Sequence, residues 1–393
     1  MTYTPFKDIK LSRLGMGSMR LPTTGGMHSP IDEEKAQEII DYVYKHGVNY
    51  FDTAYAYHGG ESEKFLGRAL SKYPRESWYL ADKFWNNVLK PGQKVKEIFE
   101  EQLARCGVEY FDFYLIHSVT DKSMYEYIQL DKTQDMMAYL ESEKEAGRIK
   151  YLGFSCHSST ETMEYFLDYY PRFDFVMLQL NYADWTLQDA KGKYEILTKR
   201  GIPVMAMEPC RGGKLASLGE EADAQLKQER PDDSITSWAF RFLQSLPNVY
   251  VILSGMSTLE HAKDNVKTFS EYKPLTEKEN MLLHELVTPI LTQTPCTACR
   301  YCCEGDMCPQ KLDIPKLLNK YNEYQFARDF TVMMSIMEMS PNELPASCTA
   351  CGDCVKACPQ NIDIPGIMQT FSGVIVELSE VVEKMFGSMM PDN

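Results

Sequence analysis

Between about Leu11 and Asn265, short apolar runs alternate with amphipathic stretches at a spacing of about 30 residues. The runs that read as strands are Leu11–Gly17, Val48–Thr53, Trp78–Lys83, Phe111–His117, Ile149–Ser155, Phe175–Leu180, Ile202–Met207 and Val249–Ser254. The stretches between them carry helix punctuation. Thr133 to Ala146 stops at Gly147, where glycine can take the left-handed position that closes a helix. Another stretch stops at Gly201 behind Lys199 and Arg200, and cations suit that end of the helix dipole. Eight such βα units predict an α/β chain folded as a parallel (β/α)8 TIM barrel. The alternative, a doubly wound open sheet, lacks its Gly-x-Gly-x-x-Gly turn here.

The alternation ends near Thr288, which predicts two domains, 1–285 and 286–393. Cysteine then dominates. Of twelve cysteines only Cys106, Cys156 and Cys210 precede residue 290, and nine crowd between Cys296 and Cys358. They form an internal repeat, two copies about 50 residues apart. Cys296-Thr-Ala-Cys299 leads to Cys308-Pro-Gln-Lys-Leu-Asp313-Ile-Pro315, and Cys348-Thr-Ala-Cys351 leads to Cys358-Pro-Gln-Asn-Ile-Asp363-Ile-Pro365. A helical segment from about Pro315 to Met339 should join two similar units in a small, mainly helical domain. Met1-Thr-Tyr-Thr-Pro-Phe-Lys-Asp8 shows no secretory signal, so grouped cysteines read as metal ligands in a reducing, cytoplasmic compartment.

The second group, Cys348-x2-Cys351-x2-Cys354-x3-Cys358-Pro, has the spacing that ferredoxin-type domains use for [4Fe-4S] clusters. Three closely spaced thiolates wrap one cube and the fourth turns to the other. Zinc also takes four thiolates, but its ribbons use two separated Cys-x2-Cys pairs. The first group departs from the pattern: Cys303 follows Cys302 directly, and Cys308-Pro comes after a longer loop. The pattern assigns Cys296, Cys299, Cys302 and Cys358 to one cluster, and Cys348, Cys351, Cys354 and Cys308 to the other, leaving Cys303 spare.

Charge and composition narrow the partners. Hydrophobic residues make up 44% and charged residues 25%, ordinary for a globular chain. A formal charge of −15 argues against nucleic acid, whose phosphates need clustered Lys and Arg. No apolar run approaches the roughly 18–20 residues of a membrane span.

Four polar residues stand at or just past the ends of consecutive strands: Asp52, Tyr57, Lys83 and His117. Active sites of such barrels sit at the C-terminal rim. The steps from Tyr57 to Lys83 and on to His117 are each about one βα unit, so the groups should be neighbours. Hydride reaching a carbonyl carbon leaves negative charge on oxygen, which needs a proton donor. A tyrosine, with pKa about 10, is a slow acid unless an ammonium such as that of Lys83 lowers it by roughly 1–3 units. Asp52 would keep Lys83 charged, and His117 could donate a hydrogen bond to the substrate oxygen. Each residue alone has a structural explanation; their joint spacing favours the catalytic one. Trp85, Tyr182 and Trp185 are candidates to line the substrate pocket.

Asp52-Thr-Ala-Tyr-Ala-Tyr57 followed by Gly60-Glu-Ser-Glu-Lys-Phe-Leu-Gly67, with Lys83, Tyr114-Leu-Ile-His117 and Glu145-Ala-Gly-Arg-Ile-Lys-Tyr-Leu-Gly-Phe-Ser155, resembles the aldo/keto reductase signature. The resemblance covers about the first 285 residues. With the cysteine domain, and the stretch Met207-Glu-Pro-Cys-Arg-Gly-Gly-Lys214, it points to the branch with a ferredoxin-type C-terminus. It implies a catalytic tetrad of Asp52, Tyr57, Lys83 and His117, with Tyr57 the general acid. It also implies NADP or NAD as cofactor, held by Ser155, Gln179, Met207, Ser254 and Asn265. Three departures stand out: Cys156 replaces the usual asparagine, Met207 the stacking tyrosine, and Ser254 to His261 carries no Arg or Lys for a 2′-phosphate. Ser257-x-x-Glu260 reads as a helix capping box.

The expected function is an oxidoreductase that reduces a small-molecule carbonyl with NAD(P)H, or the reverse, accompanied by two [4Fe-4S] clusters and a possible redox partner protein. The alternative is an iron–sulfur electron-transfer protein whose barrel is a docking scaffold. Hydride moves two electrons and a cluster one, and the sequence shows no fingerprint of a flavin to couple them.

Overall fold

The computed structural model describes residues 1–25, 29–288, 294–326, 336 and 339–386. An antiparallel hairpin, β1 (Tyr3–Phe6) with β2 (Ile9–Ser12), precedes eight parallel strands. These are β3 (Leu14–Gly17), β4 (Tyr50–Asp52), β5 (Tyr79–Phe84), β6 (Phe111–Val119), β7 (Ile149–Cys156), β8 (Phe175–Gln179), β9 (Val204–Met207) and β10 (Val249–Ser254). They pair in chain order, and β10 returns to β3 to close the barrel. Closure leaves no open edge, and the inward side chains fill the middle as a core.

The first predicted strand, Leu11–Gly17, is two. Its front half belongs to the hairpin and its rear half to the barrel, with the break at Arg13, whose N–H donates to Thr2 O at 3.0 Å. The hairpin delivers Phe6 and Leu11 into the barrel's inner core with Tyr50, Phe113, Tyr151 and Phe175. The Phe6 ring stands edge-on to Tyr151 at 5.0 Å and Tyr250 at 5.7 Å. Burying such a side chain stabilises by about 1.5–3 kcal/mol, so the hairpin plugs one end of the barrel.

Helices α1 (Glu33–Lys45), α2 (Glu61–Leu70) and α3 (Val95–Cys106) follow β3, β4 and β5 in the chain. The helix expected over Thr133 to Ala146 is divided instead. Asp135 takes φ +52°, which ends α4 (Ser123–Gln134) and begins α5 (Met136–Glu145). The left-handed conformation breaks the ladder that the apolar period alone cannot show to be interrupted. The capping box at Ser257 is also displaced: Thr258 caps helix Leu259–Phe269 by accepting from His261 N at 3.2 Å, while Ser257 Oγ donates to Arg20 O.

The residues separate into two compact units, Met1–Leu286 and Val287–Asn393. The second contains helices Ile314–Phe326, Asp353–Ala357 and Ile364–Phe386 around a core of Leu312, Ile314, Leu317, Ile362, Ile364 and Phe371 with Cys302 and Cys354. The far end of the helical linker expected up to Met339 lies largely outside the described residues. Among the described residues, no helix is long and apolar enough to cross a membrane.

Candidate active site and cluster-binding cysteines

Parallel register brings the four rim residues together. Asp52 pairs with Ala81, and Lys83 with Leu115 two residues before His117, so consecutive strand ends present Asp52, Lys83 and His117 at one mouth. Beyond Asp52 the chain turns sharply through three left-handed residues, His58, Gly59 and Gly60 at φ +52°, +65° and +90°, before α2 starts. Glycine adopts that conformation without steric cost, and the turn folds Tyr57 back over the rim. On β6 the register shifts between Ile116 and Val119, and Ser118 has φ +54°, an irregularity of the kind that re-aims a side chain next to a site.

Lys83 is 1% exposed and its ammonium is fully engaged. It donates to Asp52 Oδ1 at 2.6 Å, Thr53 O at 2.7 Å and the Tyr57 hydroxyl at 3.4 Å. The His117 ring meets the Tyr57 ring edge-on at 5.9 Å, and Trp85 stands 6.4 Å from His117. Trp85 therefore belongs to the mouth. Tyr182 and Trp185 do not share that contact; their rings pack on Phe242 at 6.2 and 5.5 Å.

The electrostatics correct one expectation. Lys83 was expected to draw the Tyr57 phenol down, but burial, then the Asp52 and Glu208 carboxylates, hold it well above the ordinary value, with Arg20 offsetting in part. The phenol is thus a protonated acid across the neutral range. Burial raises the Asp52 carboxyl while Lys83 pulls it back. Burial, then Lys83 and His157, hold His117 well below the usual imidazole range, so it is neutral near pH 7. Neutral imidazole keeps one N–H to donate.

Ser155, Gln179, Met207 and Ser254 end or nearly end β7 to β10, continuing the same rim. Ser155 Oγ accepts from Ser118 N at 2.7 Å; Gln179 Nε2 donates to Asp184 Oδ2 at 2.9 Å; Asn265 Nδ2 donates to Ser254 Oγ at 2.8 Å. Met207 packs half-buried on the inner core. Two ion pairs at this rim escaped the sequence reading. Arg20 Nη2 meets Glu208 Oε1 at 2.9 Å, its side chain lying against Gly255, and buried Arg211 Nε stands 3.2 Å from Asp184 Oδ1. Arg20 lies three residues past β3, the same signal that singled out Tyr57 and Lys83, and could have been read from it.

In the second unit the repeat is visible in backbone angles. Ala298 and Ala350 have φ +56° and +54°, Arg300 and Gly352 +70° and +80°, and Lys311 and Asn361 +54° and +51°. Left-handed residues flanked by right-handed ones turn successive N–H groups into one concavity, an arrangement that binds anions and Fe–S clusters. Ala298 N–H donates to Cys296 Sγ, and Ala350 N–H to Cys348 Sγ, both at 3.4 Å. Cys308, Cys348, Cys351 and Cys354 line one small pocket with Pro309, Leu312 and Met368. Burial, then the thiols of Cys348, Cys351 and Cys308, push the Cys354 thiol up to about 11. The Cys302 thiol is pushed up first by Cys303, whose Sγ lies 3.9 Å away, then by burial and by Cys299 and Cys296. Cys303 Sγ turns to Leu312 O at 3.7 Å. Cys358 ends the helix Asp353–Ala357, which packs against the turn Tyr301–Asp306. Four soft thiols around one cavity, with N–H donors aimed at sulfur, suit an iron–sulfur cube.

Comparison with known proteins identifies the kinds of domain the chain contains. A model described as the aldo/keto reductase family matches residues 13–288, and one described as a 4Fe-4S dicluster domain matches residues 295–362. Similar proteins include a probable aldo-keto reductase of Glycine max, 27% identical over 56% of this chain and 64% of its own length. L-galactose dehydrogenase of Arabidopsis thaliana is 24% identical over 68% of this chain and 87% of its own. Among solved structures, the holo form of an aldo-keto reductase from Bacillus halodurans superposes with a TM-score of 0.58 at 26% identity, covering 73% of this chain and 96% of that one. One from Klebsiella pneumoniae, in complex with NADPH, shares the fold at a TM-score of 0.59 and 17% identity, covering 76% and 99%.

Proposed function

The chain belongs to the aldo/keto reductase family and carries a 4Fe-4S ferredoxin-type domain behind its barrel, and on that footing we propose that it reduces the carbonyl of a small aldehyde or ketone with NADPH or NADH, or runs the reverse, using Tyr57 as general acid. The observation that carries this reading is the buried chain from Asp52 through Lys83 to the Tyr57 hydroxyl at the barrel mouth.

Ser155, Gln179, Met207, Ser254 and Asn265 would hold the nucleotide. The two cysteine sets, Cys296, Cys299, Cys302 and Cys358, and Cys348, Cys351, Cys354 and Cys308, would hold two [4Fe-4S] clusters. When bound, the nicotinamide supplies a hydride and the clusters carry single electrons. Tyr57 gives its proton to the carbonyl oxygen as charge develops there. Lys83, 3.4 Å from that hydroxyl, stabilises the phenolate left behind, and Asp52 keeps the ammonium charged and aimed. His117, neutral, donates a hydrogen bond to the same oxygen. Trp85 lines the mouth and helps exclude water.

The test begins with anaerobic purification and iron and sulfide analysis. Titration with NADPH and with NADH, followed by nicotinamide fluorescence, then precedes a carbonyl screen. Tyr57→Phe should keep cofactor binding and iron while turnover falls at least about 100-fold. Retained turnover would remove Tyr57 as the acid. Bleaching of the cluster absorbance by NADPH without oxygen would show that the two units exchange electrons.

A further inference from the structure

Strand β5 alternates, so while Lys83 serves the rim, Asp82 points to the opposite face, against the surrounding helices. A carboxyl is unexpected between the sheet and its helices, and Asp82 is fully buried. Glu63 of α2, also fully buried, meets it, and the Cys106 thiol of α3 lies close, the donor atoms of all three falling within 4.8 Å of one another. Around them, Lys83 N–H donates to Asp82 Oδ1 at 2.8 Å, and Cys106 Sγ to Asp82 Oδ2 at 3.7 Å. Gln102 Nε2 donates to Glu63 Oε1 at 3.1 Å and to Lys83 O at 3.0 Å, while Gln102 Oε1 accepts from the Tyr114 hydroxyl at 2.5 Å.

Charge bookkeeping leaves this group one proton short. Arg105 Nη1 reaches Glu63 Oε2 at 2.8 Å, but its other nitrogen is committed to Glu101 at 2.6 Å, and the Lys83 ammonium is committed to Asp52. Two buried carboxyls in contact with one shared cation cannot both ionise. We propose that Glu63 and Asp82 share a single proton and, with Gln102, act as the positioning residues of Lys83.

The network reaches β5 and β6, which carry Lys83 and His117, and the helix that follows Tyr57. Glu63 lies six residues past Tyr57, Asp82 and the Lys83 peptide are on β5, and Tyr114 is three residues before His117 on β6. Both peptide groups flanking the Lys83 side chain are therefore clamped, which fixes where its ammonium meets Tyr57. The shared proton keeps the clamp from adding a second negative charge behind Lys83. That matters because Asp82 is among the carboxylates that raise the Tyr57 phenol. Burial and then Glu63 hold the Asp82 carboxyl well above the ordinary range, and Glu63 is raised as well.

The proposal rests on the reductase reading for its kinetic arm only. Asp82→Asn keeps the acceptor for Lys83 N–H and supplies the missing hydrogen, so kcat should stay within about threefold of wild type. Asp82→Leu removes the acceptor and should lower kcat about tenfold or more with little change in KM, as misplaced catalytic groups do. Gln102→Met tests the same clamp should Asp82→Leu fail to fold. Two readouts need no turnover. Infrared difference spectra should show a buried protonated carboxyl that Asp82→Asn removes. Because a raised carboxyl loses its proton more readily in the unfolded chain, this pair's contribution to stability should shrink as pH rises above about 4, so the Tm of wild type relative to Asp82→Asn should fall over that range. Equal kinetic loss in Asp82→Asn and Asp82→Leu, wild-type kcat in both Asp82→Leu and Gln102→Met, or stoichiometric zinc lost in Cys106→Ser would overturn the proposal. Absence of any carbonyl turnover in wild type would sink the reductase reading alone, with the infrared and Tm arms still deciding the shared proton.

Discussion

Tyr57 has the Asp52 and Glu208 carboxylates in its field and Arg20 to offset them. With its phenol raised, Tyr57 stays protonated through neutral pH, so kcat for reduction should be flat there and fall only in the alkaline range. The reverse reaction, which needs the phenolate, should rise with pH over the same interval. A pH–rate profile in both directions checks this, and a limb centred near pH 7 would contradict it. The Asp52–Lys83 pair is buried on both sides, at 5% and 1% exposure. Lys83→Met strands a buried carboxyl and should cost about 3–5 kcal/mol in a urea melt, against a small change for Tyr57→Phe. The candidate residues were legible because Asp52, Lys83 and His117 lie within two residues of a strand end and Tyr57 five residues past one, positions that local periodicity reveals. Their ionisation was not, since the shift at Tyr57 is set first by burial, which exists only once the tertiary structure has formed around the phenol.

Helices α2 and α3 approach so closely at Gly67 that an added Cβ would lie 2.1 Å from Cys106 O. Gly67→Ala should therefore destabilise the barrel by about 1–3 kcal/mol, measured by thermal or urea unfolding, while leaving iron content unchanged. Cys351→Ala should remove about half the iron, and Cys303→Ser none, by colorimetric iron assay of anaerobic protein; loss in Cys303→Ser would make Cys303 the ligand instead of Cys302. The βα alternation was readable from residue period, as was the cysteine repeat from spacing. The division of the first strand into hairpin and barrel was not, because which strand each half of Leu11 to Gly17 pairs with is decided by closure of the barrel rather than by local residue type. Asp135 likewise interrupts a helix through its backbone angle, which composition does not display.

The two compact units draw on different stabilising terms. The barrel buries an extensive apolar core, whereas the second unit's core includes the cysteines themselves. Small domains of this kind gain much of their folding free energy from metal binding. Chelation of iron should therefore abolish one thermal transition and leave the other, seen by calorimetry, with the barrel retaining nicotinamide binding. Loss of both transitions together would show that the units fold as one.

What the chain determined by itself is whatever depends on neighbours along it: the βα period, the placement of Asp52, Lys83 and His117 near strand ends, and thiols spaced to wrap a cluster. Tertiary structure alone decided which distant residues meet once the barrel closes. Arg20 finds Glu208 across 188 residues, and Asp82 finds Glu63 and the Gln102 clamp on two different helices. Such contacts cannot be read from spacing, because strand register and helix packing, not sequence separation, set the distances.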